Sequence, residues 1–149
     1  IAAAGVFSYM LSSLFITQSV AEWIGTLDVN RWVLMGTVNV FLLIAGFFLP
    51  PVAVILMAAP ILLPIIETAG FDPIWFAVVL TINMEIGLIS PPVGLNLYVI
   101  NGIAPDISLR TILLGSLPFV ACMVLAIVLL CLFPGIATWL PDAVMGTAL

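Results

Sequence analysis

The sequence predicts an all-α integral membrane protein in which transmembrane helices are accompanied by a re-entrant helical hairpin and a discontinuous helix. Three observations predict it. Of the 149 residues, 65% are hydrophobic and 6% charged, whereas a water-soluble domain carries roughly 25% charged residues and avoids apolar patches on this scale. Long charge-free gaps separate the few ionisable side chains, as expected when each charge at mid-membrane costs about 2.5–3.5 kcal/mol. Two of those gaps contain adjacent prolines, which a regular helix does not accommodate.

Charge and cysteine usage exclude several function classes. Seven acids face only Arg31 and Arg110, for a net charge of -5, so the basic footprint needed for nucleic acid or for anionic lipid heads is missing. Cys122 and Cys131 lie in one apolar run and the chain has no His. That pattern fits neither a disulfide framework nor a metal site, and isolated apolar cysteines behave as packing residues. The chain begins with Ile1, with no leader-like segment before an apolar stretch, and is expected to be a fragment of something longer.

Residues 1–31 are expected to form one crossing and its connecting loop. The span is residues 1–21, closed by Glu22, Trp23 and a polar turn, and Gly5, Ser8 and Ser12 form a small-residue stripe along it suited to close helix packing. The next gap, residues 32–66, would be about 52 Å long as a single helix, too long for a bilayer without extreme tilt. It is expected to break at residues 46–51, Gly-Phe-Phe-Leu-Pro-Pro. The arms, residues 32–49 and 52–66, measure about 27 and 22 Å, which makes residues 32–70 a re-entrant helical hairpin with its tip inside the membrane. The alternative is two full crossings with a surface turn. Phe47, Phe48 and Leu49, with no charge among them, are an odd composition for such a turn.

Residues 71–104 carry the discontinuous helix. Asp72 is placed as N-cap and Pro73 at the first helical position, with the helix running through Trp75, Val79 and Asn83 to Glu85. At residues 87–94, Gly-Leu-Ile-Ser-Pro-Pro-Val-Gly, it is expected to open. Ser90 followed by Pro91 then reads as the N-cap of a second half-helix through Leu95, Tyr98 and Asn101. The pieces are about 21 and 15 Å long, so the break falls near the middle of the membrane. Irregular backbone at that depth survives only beside protein or a polar cavity. A half-helix ending near Ile86 offers carbonyls, which suit a cation, and one beginning near Ser90 offers N–H groups, which suit an anion. Secondary transporters use such discontinuous helices to bind an anionic substrate with its coupling ion.

Residues 105–149 are expected to supply an amphipathic connector at residues 108–112 with Arg110, a final span at residues 112–133 kinked by Pro118, and a tail with Trp139 as interface anchor. Arg31, Glu67 and Asp72 fall on one side and Arg110 on the other, so the positive-inside rule does not fix orientation.

The run Asn83-Met84-Glu85-Ile86-Gly87-Leu88-Ile89-Ser90-Pro91-Pro92-Val93-Gly94-Leu95-Asn96-Leu97 closely resembles the second-half signature of the large membrane subunit of TRAP (tripartite ATP-independent periplasmic) transporters. Ala59-Pro60-Ile61-Leu62-Leu63-Pro64, Gly70-Phe71-Asp72-Pro73, Leu117-Pro118-Phe119, Phe133-Pro134 and Trp139-Leu140-Pro141 follow in the family's order. The resemblance implies the C-terminal repeat of a permease with two inverted repeats and an elevator mechanism. It further implies sodium-coupled import of organic acids, C4-dicarboxylates or related carboxylates, without ATP hydrolysis and with no cofactor beyond the coupling ion. Partners implied are a small membrane subunit, a periplasmic substrate-binding protein and the N-terminal repeat of the same subunit, all at the bacterial inner membrane. Where family members often carry an acid at the hairpin tip, this chain has Pro50-Pro51 after Leu49.

On that reading Gly46, Gly87, Ser90 and Gly94 are the ion-binding candidates, acting through carbonyl or hydroxyl oxygens. Pro91, Pro92, Val93 and Asn96 are the substrate-binding candidates, at the start of the second half-helix. Asn83 and Glu85 are polar support. Glu85 has three open roles: a cation contact, a proton site, or an acceptor for free N–H groups of the break. Asn39 is expected to hydrogen-bond across to the second hairpin arm. Rival readings are a dicarboxylate or citrate carrier of the wider ion-transporter superfamily working without a binding protein, an intramembrane enzyme, and a purely structural subunit. The enzyme lacks support, because no His, no Cys near an acid and no second acid accompany Glu85 in its span. Interrupted helices left in lipid argue against the structural subunit.

Overall fold

The computed structural model describes residues 30–91 and 93–145, together with positions 6, 9, 10, 13, 14 and 19. Most of the expected first crossing, including its small-residue stripe at Gly5, Ser8 and Ser12, lies outside the described residues. Six helices follow: α1 (Arg31–Phe48), α2 (Pro51–Thr68), α3 (Pro73–Ile89), α4 (Leu95–Ile103), α5 (Leu109–Leu132) and α6 (Gly135–Met145). Among the described residues there is no strand. The helices α1, α2 and α5 are long and apolar enough to cross a membrane, and α3 is a shorter apolar helix.

Local chemistry sets most helix ends. Asn30 caps α1 by accepting the Trp32 N–H at 2.9 Å, and Asp72 caps α3 by accepting the Trp75 N–H at 2.8 Å. The helix α2 closes with Gly70 at φ 78 and the Phe71 N–H returned to the Ile66 carbonyl at 3.0 Å. That left-handed turn is one for which glycine carries little steric cost. Only Leu49 and Pro50 separate α1 from α2, so these helices form a hairpin.

Three expectations are corrected. The helix α3 does not open at Gly87 but continues to Ile89; glycine permits a break, whereas the first residue that forces one is Pro91, which drives Ser90 into extended backbone at φ -108, ψ 148. Ser90 therefore ends α3 rather than capping the next half-helix, and α4 starts at Leu95, with Gly94 as its N-cap at φ 54. The connector expected at residues 108–112 is the first turn of α5, a continuous helix capped by Ser108. The tail after Pro134 is itself helical.

The core gathers on α3. Trp75, Phe76, Val79, Leu80 and Met84 are buried there against Met35, Val38 and Leu42 of α1 and Leu62 and Ile66 of α2. Most of α3's packing is against α1. By contrast α5 buries only Leu130, leaving Leu114, Phe119 and Leu125 exposed, a surface that suits lipid or further protein rather than water.

Candidate functional site

The helices α1 and α3 run parallel, so both end at the level of the break. Their backbones touch where two glycines face each other. A Cβ placed on Gly87 would lie 2.6 Å from the Gly46 carbonyl carbon, 2.7 Å from its oxygen and 2.9 Å from its Cα. Gly87 is thus required for close approach inside a helix, not for freedom in a loop as its position had suggested. Gly46 is less constrained, since a Cβ there would meet the movable Met84 Cε at 3.4 Å.

A signal missed in the sequence explains what meets at this contact. The segments Gly46-Phe47-Phe48-Leu49-Pro50-Pro51 and Gly87-Leu88-Ile89-Ser90-Pro91-Pro92 share one spacing, Gly-x-x-x-Pro-Pro. A helical carbonyl at position i is bonded by the N–H of residue i+4, and that residue is Pro50 for Gly46 and Pro91 for Gly87. Proline has no N–H. Each glycine therefore carries a carbonyl without its helical donor, at the negative end of a helix dipole, and packing brings the two ends together.

The polar side chains near the contact are unevenly satisfied. Asn83 is wholly buried; its Nδ2 donates to the Asn39 Oδ1 and to the Val79 carbonyl at 3.0 Å, while its own Oδ1 has no partner. Asn39 in turn donates to the Met35 carbonyl at 2.8 Å. Its cross-helix partner is thus Asn83 on α3, not a residue of the second hairpin arm, because α1 packs chiefly on α3. Ser90, 6% exposed, holds its hydroxyl oxygen buried and unpartnered, an arrangement that costs free energy unless something supplies the missing bond. Ser116 of α5 donates to the Ile89 carbonyl at 3.2 Å and to the Leu113 carbonyl at 2.8 Å, tying α5 to the end of α3. A serine in an otherwise apolar run was the available sign of it.

The other candidates divide. Gly94 is buried at φ 54, with its own carbonyl accepting the Leu97 and Tyr98 N–H groups at 2.8 and 3.4 Å. That leaves the Leu95 and Asn96 N–H groups at the start of α4, which has no side-chain cap. Pro91 and the Asn96 side chain are exposed, and Val93 is half-buried; Pro92 lies outside the described residues. Glu85 is exposed and accepts no hydrogen bond among the described residues, so the loop's N–H groups do not use it as an acceptor. No group of metal-ligating His, Cys, Asp or Glu forms among the described residues. The Gly46 and Gly87 carbonyls and the Ser90 hydroxyl are neutral oxygens of the type that hard cations take, and the free N–H groups at the start of α4 are of the type that anions take.

A family model described as the tripartite ATP-independent periplasmic transporter, DctM component, matches residues 1–136. The chain is 38% identical over 142 residues to the C4-dicarboxylate TRAP transporter large permease protein DctM of Pseudomonas aeruginosa, covering 95% of this chain and 33% of that protein. It is 31% identical over 141 residues to the sialic acid TRAP transporter large permease protein SiaM of Vibrio cholerae, with 95% and 33% covered. Identity to the ectoine TRAP transporter large permease protein TeaC of Halomonas elongata is 32% over 142 residues, with the same coverage of 95% and 33%. The chain spans about a third of the length of these relatives.

Proposed function

Because the chain belongs to the family of the DctM component of tripartite ATP-independent periplasmic transporters, we propose that it is the C-terminal repeat of a large permease subunit that imports organic acids with sodium. Substrate arrives from a periplasmic binding protein, a small membrane subunit braces the permease in the bacterial inner membrane, and an ion gradient rather than ATP drives the cycle. The relatives are named as permeases and not as enzymes.

The observation that carries this reading is the meeting of two donor-less helix ends at Gly46 and Gly87, three residues before a buried, unpartnered Ser90 hydroxyl. Sodium is held there by carbonyl and hydroxyl oxygens from both ends, with the Gly94 side of the loop closing around it. The ion offsets the dipoles that the prolines leave unpaired. The substrate carboxylate sits on the Leu95 and Asn96 N–H groups, with Pro91, Pro92 and Val93 the further substrate-binding candidates. Asn83 and Asn39 keep the helices in register beneath the ion. The tip of the α1–α2 hairpin lies within the membrane, and the loaded site moves as a unit past the scaffold, as in an elevator. The relatives' names span dicarboxylate, sialic acid and ectoine, so the substrate class is taken as carboxylate-bearing solutes, with C4-dicarboxylates as the first to test.

The test is sodium-dependent uptake by the full-length permease, with its small subunit and binding protein, in proteoliposomes. Ser90→Ala removes one oxygen ligand and is expected to raise the half-saturating sodium concentration about tenfold, the equivalent of roughly 1.4 kcal/mol. Unchanged sodium dependence would overturn the assignment. Uptake undiminished without the binding protein would instead favour a carrier of the dicarboxylate or citrate type.

A further inference from the structure

We propose that the cavity at the end of the bundle where α1 begins binds the headgroup of a zwitterionic phospholipid carrying a phosphate and a primary ammonium. The cavity measures about 240 Å³ and is lined by Arg31, Trp32, Gly70, Phe71, Asp72 and Trp75. It lies where α1 and α3 start and where α2 and α5 end, the level at which spanning helices meet headgroups and at which tryptophan collects.

Its wall is rigid. Phe71 stacks on Trp75 with ring centroids 5.3 Å apart and meets Trp32 edge-on at 5.4 Å. Trp75 is 2% exposed and donates its indole N–H to the Leu130 carbonyl at 2.8 Å, which fixes the platform to α5. The Arg31 guanidinium lies over Trp32 at 5.5 Å and Phe71 at 5.7 Å. It makes no ion pair or hydrogen bond among the described residues, and the two rings hold its planar fork of donors at the cavity. Such a fork matches two phosphate oxygens. Arg110, at the other end of the bundle, has no ring beneath it among the described residues.

Asp72 decides which lipid fits. One carboxylate oxygen accepts the Trp75 N–H at 2.8 Å, and the other takes no hydrogen bond among the described residues. Arg31 and Asp72 flank the same cavity without pairing to each other, and their charges cancel. A headgroup bearing both a phosphate and an ammonium satisfies both. An anionic glycerol headgroup leaves Asp72 facing a negative charge, and a choline headgroup offers it no N–H donor. The proposal requires only that these helices end at a bilayer surface and does not depend on the sodium reading.

The experiment titrates the full-length permease with its small membrane subunit, in detergent, with short-chain phosphatidylethanolamine, phosphatidylcholine and phosphatidylglycerol, and reads lipid occupancy by native mass spectrometry. Phosphatidylethanolamine is expected to be retained in preference to the other two. Arg31→Gln should weaken its retention about tenfold, and Arg110→Gln should leave it unchanged. Asp72→Asn keeps the helix cap, since Asn caps as well as Asp, and should abolish the preference over phosphatidylcholine. Wild-type occupancy in Arg31→Gln, or phosphatidylglycerol bound as tightly as phosphatidylethanolamine, would overturn the proposal. So would loss of the small subunit from Arg31→Gln with lipid occupancy unaltered, which would give this face to a protein.

Discussion

The segments beginning at Gly46 and Gly87 have the same glycine-to-proline spacing, yet the chain goes different ways after each. Beyond Pro50-Pro51 it doubles back at once, because Pro51 serves as the first residue of α2, a position for which its fixed φ is suited. After Pro91 the next helix does not begin until Leu95, with Gly94 at φ 54 as its N-cap. No glycine follows the first pair before α2 is under way, whereas one stands two residues after the second pair. The shared spacing sets where helical bonding stops and leaves two matching carbonyl ends. The residues that follow set what comes next: a second helix that starts at once in one case and a helix delayed to Leu95 in the other.

The sharpest break of this comparison is to place a methyl group on each glycine in turn. Gly87→Ala drives a Cβ into Gly46 backbone at 2.6 Å, which cannot yield without parting α1 from α3; a loss of about 3 kcal/mol is expected, read as a lowered melting temperature of the solubilised permease together with lost uptake. Gly46→Ala meets the Met84 side-chain terminus at 3.4 Å, and Gly87 Cα and the Asn83 carbonyl oxygen only at ordinary contact distances of 3.6 and 3.8 Å, and should cost less than about 1 kcal/mol. Equal melting temperatures for the two variants would mean that the contact is not set by Gly87. Pro91→Ala comes next. It restores an N–H for the Gly87 carbonyl and frees Ser90 to turn helical, so α3 should extend past Ile89. The amide at position 91 should become protected from hydrogen exchange, and the sodium requirement should rise roughly fivefold. The smallest expected effect is at the asparagines: a double-mutant cycle with Asn39→Ala and Asn83→Ala should give a coupling of about 0.6 kcal/mol, the average for hydrogen bonds between membrane helices. A coupling near zero would show that the glycines alone hold the register.

Much of the site could be read before any coordinates. Asp72 as cap of α3, with Pro73 at its first position, follows from side chains acting on their nearest neighbours, and so does an interruption within residues 87–94, although it was placed three residues too early. Gly87 was placed in the loop, whereas it lies inside α3, and the face that Glu85 takes was not legible either, for one reason. A glycine in an apolar run looks the same whether it loosens its own helix or admits a neighbouring one, and an acid shows no face until its helix is packed. Glu85 turned out exposed, while Asn83, two residues earlier, lies wholly buried.

The sequence by itself determined that the chain is apolar, where α1 and α3 end, and that the Gly46 and Gly87 carbonyls lack helical donors, because proline's missing N–H acts within one turn of the chain. Only the tertiary structure decided that those two ends meet, that Asn39 pairs with Asn83, and that Arg31 settles on Trp32 and Phe71. Apart from Arg31 on its neighbour Trp32, those contacts join residues about forty positions apart, and their partners are chosen by which helix faces bury together rather than by any local preference of the backbone.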